Sequence, residues 1–205
     1  MVLNQTGGLP LGANTLTLSG GGNFQSVGLD LNNVNSKLLL KSITVDSVST
    51  SEDSLGLDVN ETSAITSLLV GNITPVAIAS GRSLSGGITV TGNSGNQASQ
   101  LKLTETGTLA SSIAMSGGVL DADNSLTVSG ALTHTGNITI DVLTDKTLTY
   151  SGTAISLGAN TLTLSGGGSL VSGGLTLNDA DSKLLLFSII IDSVRSSVVN
   201  NLGLD

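Results

Sequence analysis

Apolar-polar-apolar triplets, each followed within a few residues by a bend, dominate this chain and limit what it can fold into. Examples are Leu16-Thr17-Leu18, Leu29-Asp30-Leu31, Ile43-Thr44-Val45, Ile88-Thr89-Val90, Leu101-Lys102-Leu103, Leu126-Thr127-Val128, Ile138-Thr139-Ile140, Leu162-Thr163-Leu164 and Leu175-Thr176-Leu177. Period-two alternation puts both aliphatics on one face and the Thr, Asp or Lys on the other, as in a half-buried strand. Between Ile113 and Leu162 the leading apolar residue recurs at steps of 7, 6, 6, 6, 5, 5, 7 and 7. Hairpin-joined strands of an antiparallel sandwich carry turn signals only every ~8–12 residues. The closer spacing selects a coil that bends after almost every short strand, which is a β-solenoid.

A second feature fixes how the coils are arrayed. Residues 11–48 return at 157–194, at an offset of 146, with 27 of 38 positions identical. The copy runs on into LGLD, at 55–58 and again at 202–205. Long-range self-similarity marks repeat architectures, whose units extend one shared core. With three triplets per coil, a coil takes roughly 18 to 24 residues and rises about 4.8 Å. The expectation is an all-β, single-stranded parallel β-helix of about ten rungs, with one repeat unit spanning about seven. It is one continuous segment over 1–205, with 11–58 and 157–205 as the duplicated block. Residues 47–81 read less regularly and carry the densest acidic patch, Asp46, Glu52, Asp53, Asp58 and Glu61. They are expected to form a loop excursion from the coil.

Composition agrees with a thin core. Aromatics are 1% of the chain, Phe24, Tyr150 and Phe187, whereas 39% is apolar. A narrow aliphatic interior needs no large rings, and 27 glycines beside abundant Ser, Thr and Asn supply the bends. The net charge of −8 repels phosphate backbones and anionic membranes, so neither nucleic acid binding nor membrane insertion is expected. The absence of cysteine removes disulfides, thiol catalysis and Cys-ligated metal. The opening MVLNQTGG has no basic region followed by an apolar run, so any export signal is expected outside these residues.

Site chemistry is sparse. The triple glycines at 20–22 and 166–168 lack the Lys-Ser/Thr of a phosphate loop and read as turns. The one histidine, His134, occupies the triplet slot of Val128, Ile140 and Leu164, and Tyr150 the corresponding slot of its own triplet. Both are expected in the core or at a coil corner. The two DAD runs make Asp121, Asp123, Asp179 and Asp181 calcium candidates by residue type. Neither run has the spacing of a known calcium loop, and the first copy reads Asn33-Val34-Asn35 where the second reads Asp179-Ala180-Asp181. A turn accepting Asn or Asp explains that exchange, so no metal or cofactor is expected. The two arginines, Arg82 and Arg195, lie far apart, against the carboxylate-and-cation groove of a glycan-cleaving β-helix. Thr-x-Thr pairs such as Thr15/Thr17, Thr89/Thr91, Thr133/Thr135, Thr147/Thr149 and Thr161/Thr163 suggest ice-binding ranks, but their uneven spacing fits ordinary solvent-facing threonines.

The strings NTLTLSGGG, GGITVTGNSG, NSLTVSGALTHTGNITI and KTLTYSGTAISLGANTLTLSGGG resemble the β-strand repeats of bacterial surface proteins, namely autotransporter passengers and filamentous-haemagglutinin-like adhesins. The likeness covers about 81–177 and 11–31. It implies a right-handed parallel β-helix, exported to the bacterial cell surface or beyond, serving as stalk or adhesin; the sparse site chemistry adds the expectation of no catalysis. End-to-end self-association and contact with a host or neighbouring cell are the partners to expect. A polysaccharide-lyase-like enzyme, with Arg82 and Asp121 as residues to test, and an ice-binding solenoid are the alternatives.

Overall fold

The structure, a computed structural model, describes residues 2–5, 8–94, 97–197 and 203–204. Its short strands stack in parallel into a β-solenoid with three faces and no helix among the described residues. The first face is a ten-stranded sheet: Thr15–Ser19, Lys37–Lys41, Gly56–Val59, Ile73–Ile78, Gln100–Leu103, Val119–Ala122, Ile138–Val142, Thr161–Ser165, Lys183–Leu186 and Gly203–Leu204. The second face starts with Val2–Gln5 and Asn23–Ser26 and ends with Ser169–Val171 and Ile190–Ile191. The third runs from Leu9–Pro10 and Leu29–Leu31 to Leu175–Leu177 and Val194–Ser196. In the rungs between, Thr44–Thr50, Ser63–Val70 and Ser83–Thr91 each serve the second and third faces as one bent strand.

Residues in register on successive first-face strands are 19 to 27 positions apart in sequence. From Thr15–Ser19 to the duplicate Thr161–Ser165 there are seven steps, so one repeat unit is seven rungs. Inward positions form continuous aliphatic columns: Leu101, Leu120, Ile140 and Leu164 stand in register, each at most 1% exposed. Such a column removes apolar area from water at every interface between rungs, the dominant stabilising contribution here.

Residues 47–81 correct the expectation of a loop excursion. Gly56–Val59 pairs with Lys37–Lys41 on one side and Ile73–Ile78 on the other, and Ser63–Val70 pairs with Thr44–Thr50 and Ser83–Thr91. Val48, Leu57, Val59, Leu68 and Val70 are fully buried. The acidic residues that made the stretch look irregular sit on outward positions or in turns, which leaves the inward pattern intact. The true excursion lies elsewhere, in the 27-residue step between Ile73 and Gln100. There Asn93–Ser94 pairs antiparallel with Gln97–Ala98, a small hairpin pushed out of the coil.

The two copies reproduce each other in detail. Gly12 and Gly158 both have φ of 56°, and Ser42 and Ser188, at 51° and 52°, share the left-handed conformation that side chains rarely adopt. Asn14 donates to the Leu11 carbonyl at 2.8 Å, as Asn160 does to Leu157 at 3.0 Å. The end of the second copy, at 198–202 and 205, lies outside the described residues.

Candidate functional site

The densest ionisable cluster lies on the outside of the first face. Parallel stacking places Lys102, Asp121, Asp141 and Ser165 in one outward column, each in register with the next. Period-two alternation aims all four side chains away from the aliphatic columns. Lys102 Nζ bridges two carboxylates, reaching Asp121 Oδ2 at 2.8 Å and Asp123 Oδ2 at 2.8 Å. Gln100 Nε2 donates to the same Oδ2 of Asp121, and Ser165 Oγ donates to Asp141 Oδ1.

Asp121 is 6% exposed, an unusual burial for an outward carboxylate. Burial pushes its carboxyl above the ordinary aspartate range; Lys102 pulls it back, while Asp123 and Asp141 add to the rise. Burial by itself would lower Lys102, but its bonds and charge contacts with Asp121 and Asp123 outweigh that and hold the ammonium above the usual lysine range. Asp121 Oδ2 thus already accepts from both an amide and an ammonium. A second, simpler pair, Lys37 with Asp58 at 2.7 Å, links adjacent first-face strands three rungs before the Lys102–Asp121 pair.

The four calcium candidates are not gathered in one place. Asp121 and Asp123 share Lys102 on the first face. Asp179 and Asp181 lie in the turn between Leu175–Leu177 and Lys183–Leu186, where Asp179 Oδ1 accepts from the Asp181 backbone N–H at 3.0 Å. Asn33 Oδ1 accepts from the Asn35 N–H at the same 3.0 Å in the first copy. Only the side-chain oxygen is used, which explains the Asn-to-Asp exchange. No group of three or more His, Asp or Glu able to hold a metal occurs among the described residues.

His134 stands in register with the buried Met115 on the third face. Its Nδ1 is 3.1 Å from the Gly136 carbonyl, and its buried Nε2 has no hydrogen-bond partner. Tyr150 is 4% exposed, and its hydroxyl accepts from the Leu132 N–H at 3.0 Å. Arg82 lies in the turn entering the second face and Arg195 on the third, so neither joins the carboxylates of the first. The Thr-x-Thr pairs are divided among the faces: Thr15/Thr17 and Thr161/Thr163 on the first, Thr147/Thr149 on the second, Thr89/Thr91 and Thr133/Thr135 on the third. On the third face Ala114 interrupts the column between Thr89 and Thr133.

The Lys102 cluster is not legible in the sequence, because Lys102 and Asp121 are 19 positions apart and meet only through the rung length. A signal exists once that length is known: charges of opposite sign one rung apart on outward positions.

No helix of the described chain is long and apolar enough to cross a membrane. Comparison with protein-family models, with curated proteins and with solved structures finds no match.

Proposed function

We propose that this chain is a structural and adhesive segment of a repetitive extracellular protein or filament at a bacterial cell surface, working through its outer surface and without catalysis. The observation that carries the reading is the division of labour across the coil. Inward positions form aliphatic columns, and on the first face Lys37 pairs with Asp58, and Lys102 with Asp121 and Asp123, across rungs. Such a body supplies length, stiffness and a long hydroxyl-rich surface, which is what a stalk or adhesin needs. The repeat strings that resemble autotransporter passengers and filamentous adhesins support the same reading. Host or neighbouring cell surfaces are the partners it implies, together with further copies of the repeat.

Beads coated with the chain should bind bacterial or epithelial cells above albumin-coated beads. The chain should also leave a panel of acidic polysaccharides uncut, read by unsaturated-product absorbance and by reducing ends. Absence of bead binding, or cleavage of any polysaccharide, would overturn the proposal. The second reading, glycan cleavage, would rest on the two carboxylates Asp121 and Asp141, in register on adjacent first-face strands. That reading requires product formation that disappears in Asp121→Asn.

A further inference from the structure

Leu143, Val171, Phe187 and Ile190, 44% to 69% exposed, gather on one flank of the rod, around the corner that joins the first face to the second. They occupy three successive rungs and point away from the aliphatic columns. Leu143 and Val171 have a paired rung on either side, so their exposure belongs to the flank and not to an end of the stack. In the first copy Gln25 and Lys41 hold the positions of Val171 and Phe187. The coil therefore does not require apolar side chains there, and a cluster of them on a surface marks a contact.

The middle rung of the three carries both halves of a self-complementary surface. Its corner, Gly166 to Gly168, is bare of side chains, because a carbon added at Gly166 or Gly168 would collide with the Val142 or Leu143 carbonyl of the preceding rung. Leu143 stands on one side of this trough, bridged to Gly167, and Phe187 on the other, its N–H donating to the Leu164 carbonyl at 2.9 Å. On the same rung Val171 projects from the second face as a knob, in register with Thr149. Ser169 lies between trough and knob. A second copy turned by 180° about an axis through Ser169, perpendicular to the rod, lays each Val171 in the other's trough. The same rotation exchanges the preceding rung with the following one, so Lys146 of one copy comes opposite Asp192 of the other. Lys146 forms no ion pair among the described residues, and the Asp192 carboxylate accepts only from neutral donors of Ser172 and Ser193.

We infer that two copies of this chain pack side by side and antiparallel, with Val171 seated between Leu143 and Phe187 of the partner and Lys146 paired with the partner's Asp192. Charges of opposite sign related by the same two-fold as knob and trough fit a second copy and not an unrelated surface. The contact is isologous and closes on itself, so it yields a dimer and not a fibre. It goes beyond the adhesive reading and stands without it.

Sedimentation velocity of the full chain, up to roughly 100 µM, should show a monomer–dimer equilibrium. Val171→Gln/Phe187→Lys restores the first copy's residues on the same backbone, so folding is kept, and it should weaken the dimer at least about tenfold. Lys146→Glu and Asp192→Lys should each weaken it as well, with circular dichroism checking their fold. Mixing those two variants should restore the dimer, because both cross-pairs then join opposite charges. The chain has no cysteine, so an introduced one reports the geometry. Ser169→Cys, on the axis, should cross-link to itself under mild oxidation, whereas Thr127→Cys, two rungs away on the same face, should not. A monomeric wild type, undiminished dimers in the Val171/Phe187 variant, a mixture as weak as its components, or a Ser169→Cys chain that stays uncross-linked would overturn the pairing. A monomeric chain that still binds cells as coated beads would overturn the pairing alone, leaving the adhesive reading in place.

Discussion

At the scale of single residues, Lys102 is the cation on which the buried Asp121 depends. Lys102→Met leaves that carboxylate with Gln100 alone, and a buried charge without its counterion costs on the order of 2–3 kcal/mol at neutral pH. The sign of the pH dependence follows from the raised carboxyl. A group whose folded-state pKa lies above its unfolded value destabilises the fold while ionised, and the penalty fades as pH falls through the folded pKa. The deficit of Lys102→Met should therefore shrink on acidification, and Asp121→Asn should remove most of it at pH 7. Thermal melts of the two single variants and the double variant, from pH 7 to pH 4, measure this; a pH-independent deficit would refute it. His134 offers a gain. Its buried Nε2 makes no hydrogen bond, and such an orphan costs about 1–3 kcal/mol. His134→Leu, in register with Met115, should raise the melting temperature by a few degrees, and a lower value would show that the imidazole has a role.

At the scale of elements, the corners hold the strands in place through hydroxyls as well as glycines. Ser36 Oγ donates to the Gly12 carbonyl at 2.5 Å, and its counterpart Ser182 donates to Gly158 at 2.6 Å; both serines are fully buried. Ser36→Ala and Ser182→Ala each strand a carbonyl, at about 1–2 kcal/mol. Because the serines sit seven rungs apart, their effects should add in the double variant, as urea titration can check. What the sequence reveals at this scale follows the same physics. The triplets predict the strands because period two is a local property, and the shared Asn and Gly turns predict the corners. The cross-rung partners, Ser36 with Gly12 or Lys102 with Asp121, depend on rung length, which varies from 19 to 27 and is not a local property. The acidic side chains of 47–81 hide an ordinary coil from composition, although Val48, Leu57 and Leu68 keep the inward pattern. The hairpin at Asn93–Ser94 and Gln97–Ala98 went unseen because its small polar residues look like any other bend.

At the scale of the whole molecule, stability is nearly one-dimensional. Each rung touches only its neighbours, so the fold is a sum of similar interfaces and can be lengthened wherever the junction is native. The duplication marks such a junction: residues 11–22 and 157–168 are identical, so joining residue 156 to a new copy beginning at residue 11 reproduces the native connection. A chain made of 1–156 followed by 11–205 therefore gains one unit of seven rungs and should lengthen by about 34 Å at 4.8 Å per rung. Its core adds buried aliphatic columns with no new end, so its melting temperature should equal or exceed that of the parent. Small-angle scattering extrapolated to zero concentration measures the length of the single molecule. A compact, unlengthened or less stable product would mean that the seven rungs are not an independent unit of extension. A clean extension would identify the 146-residue block as the increment by which such a rod grows, with its contact surface growing in the same proportion.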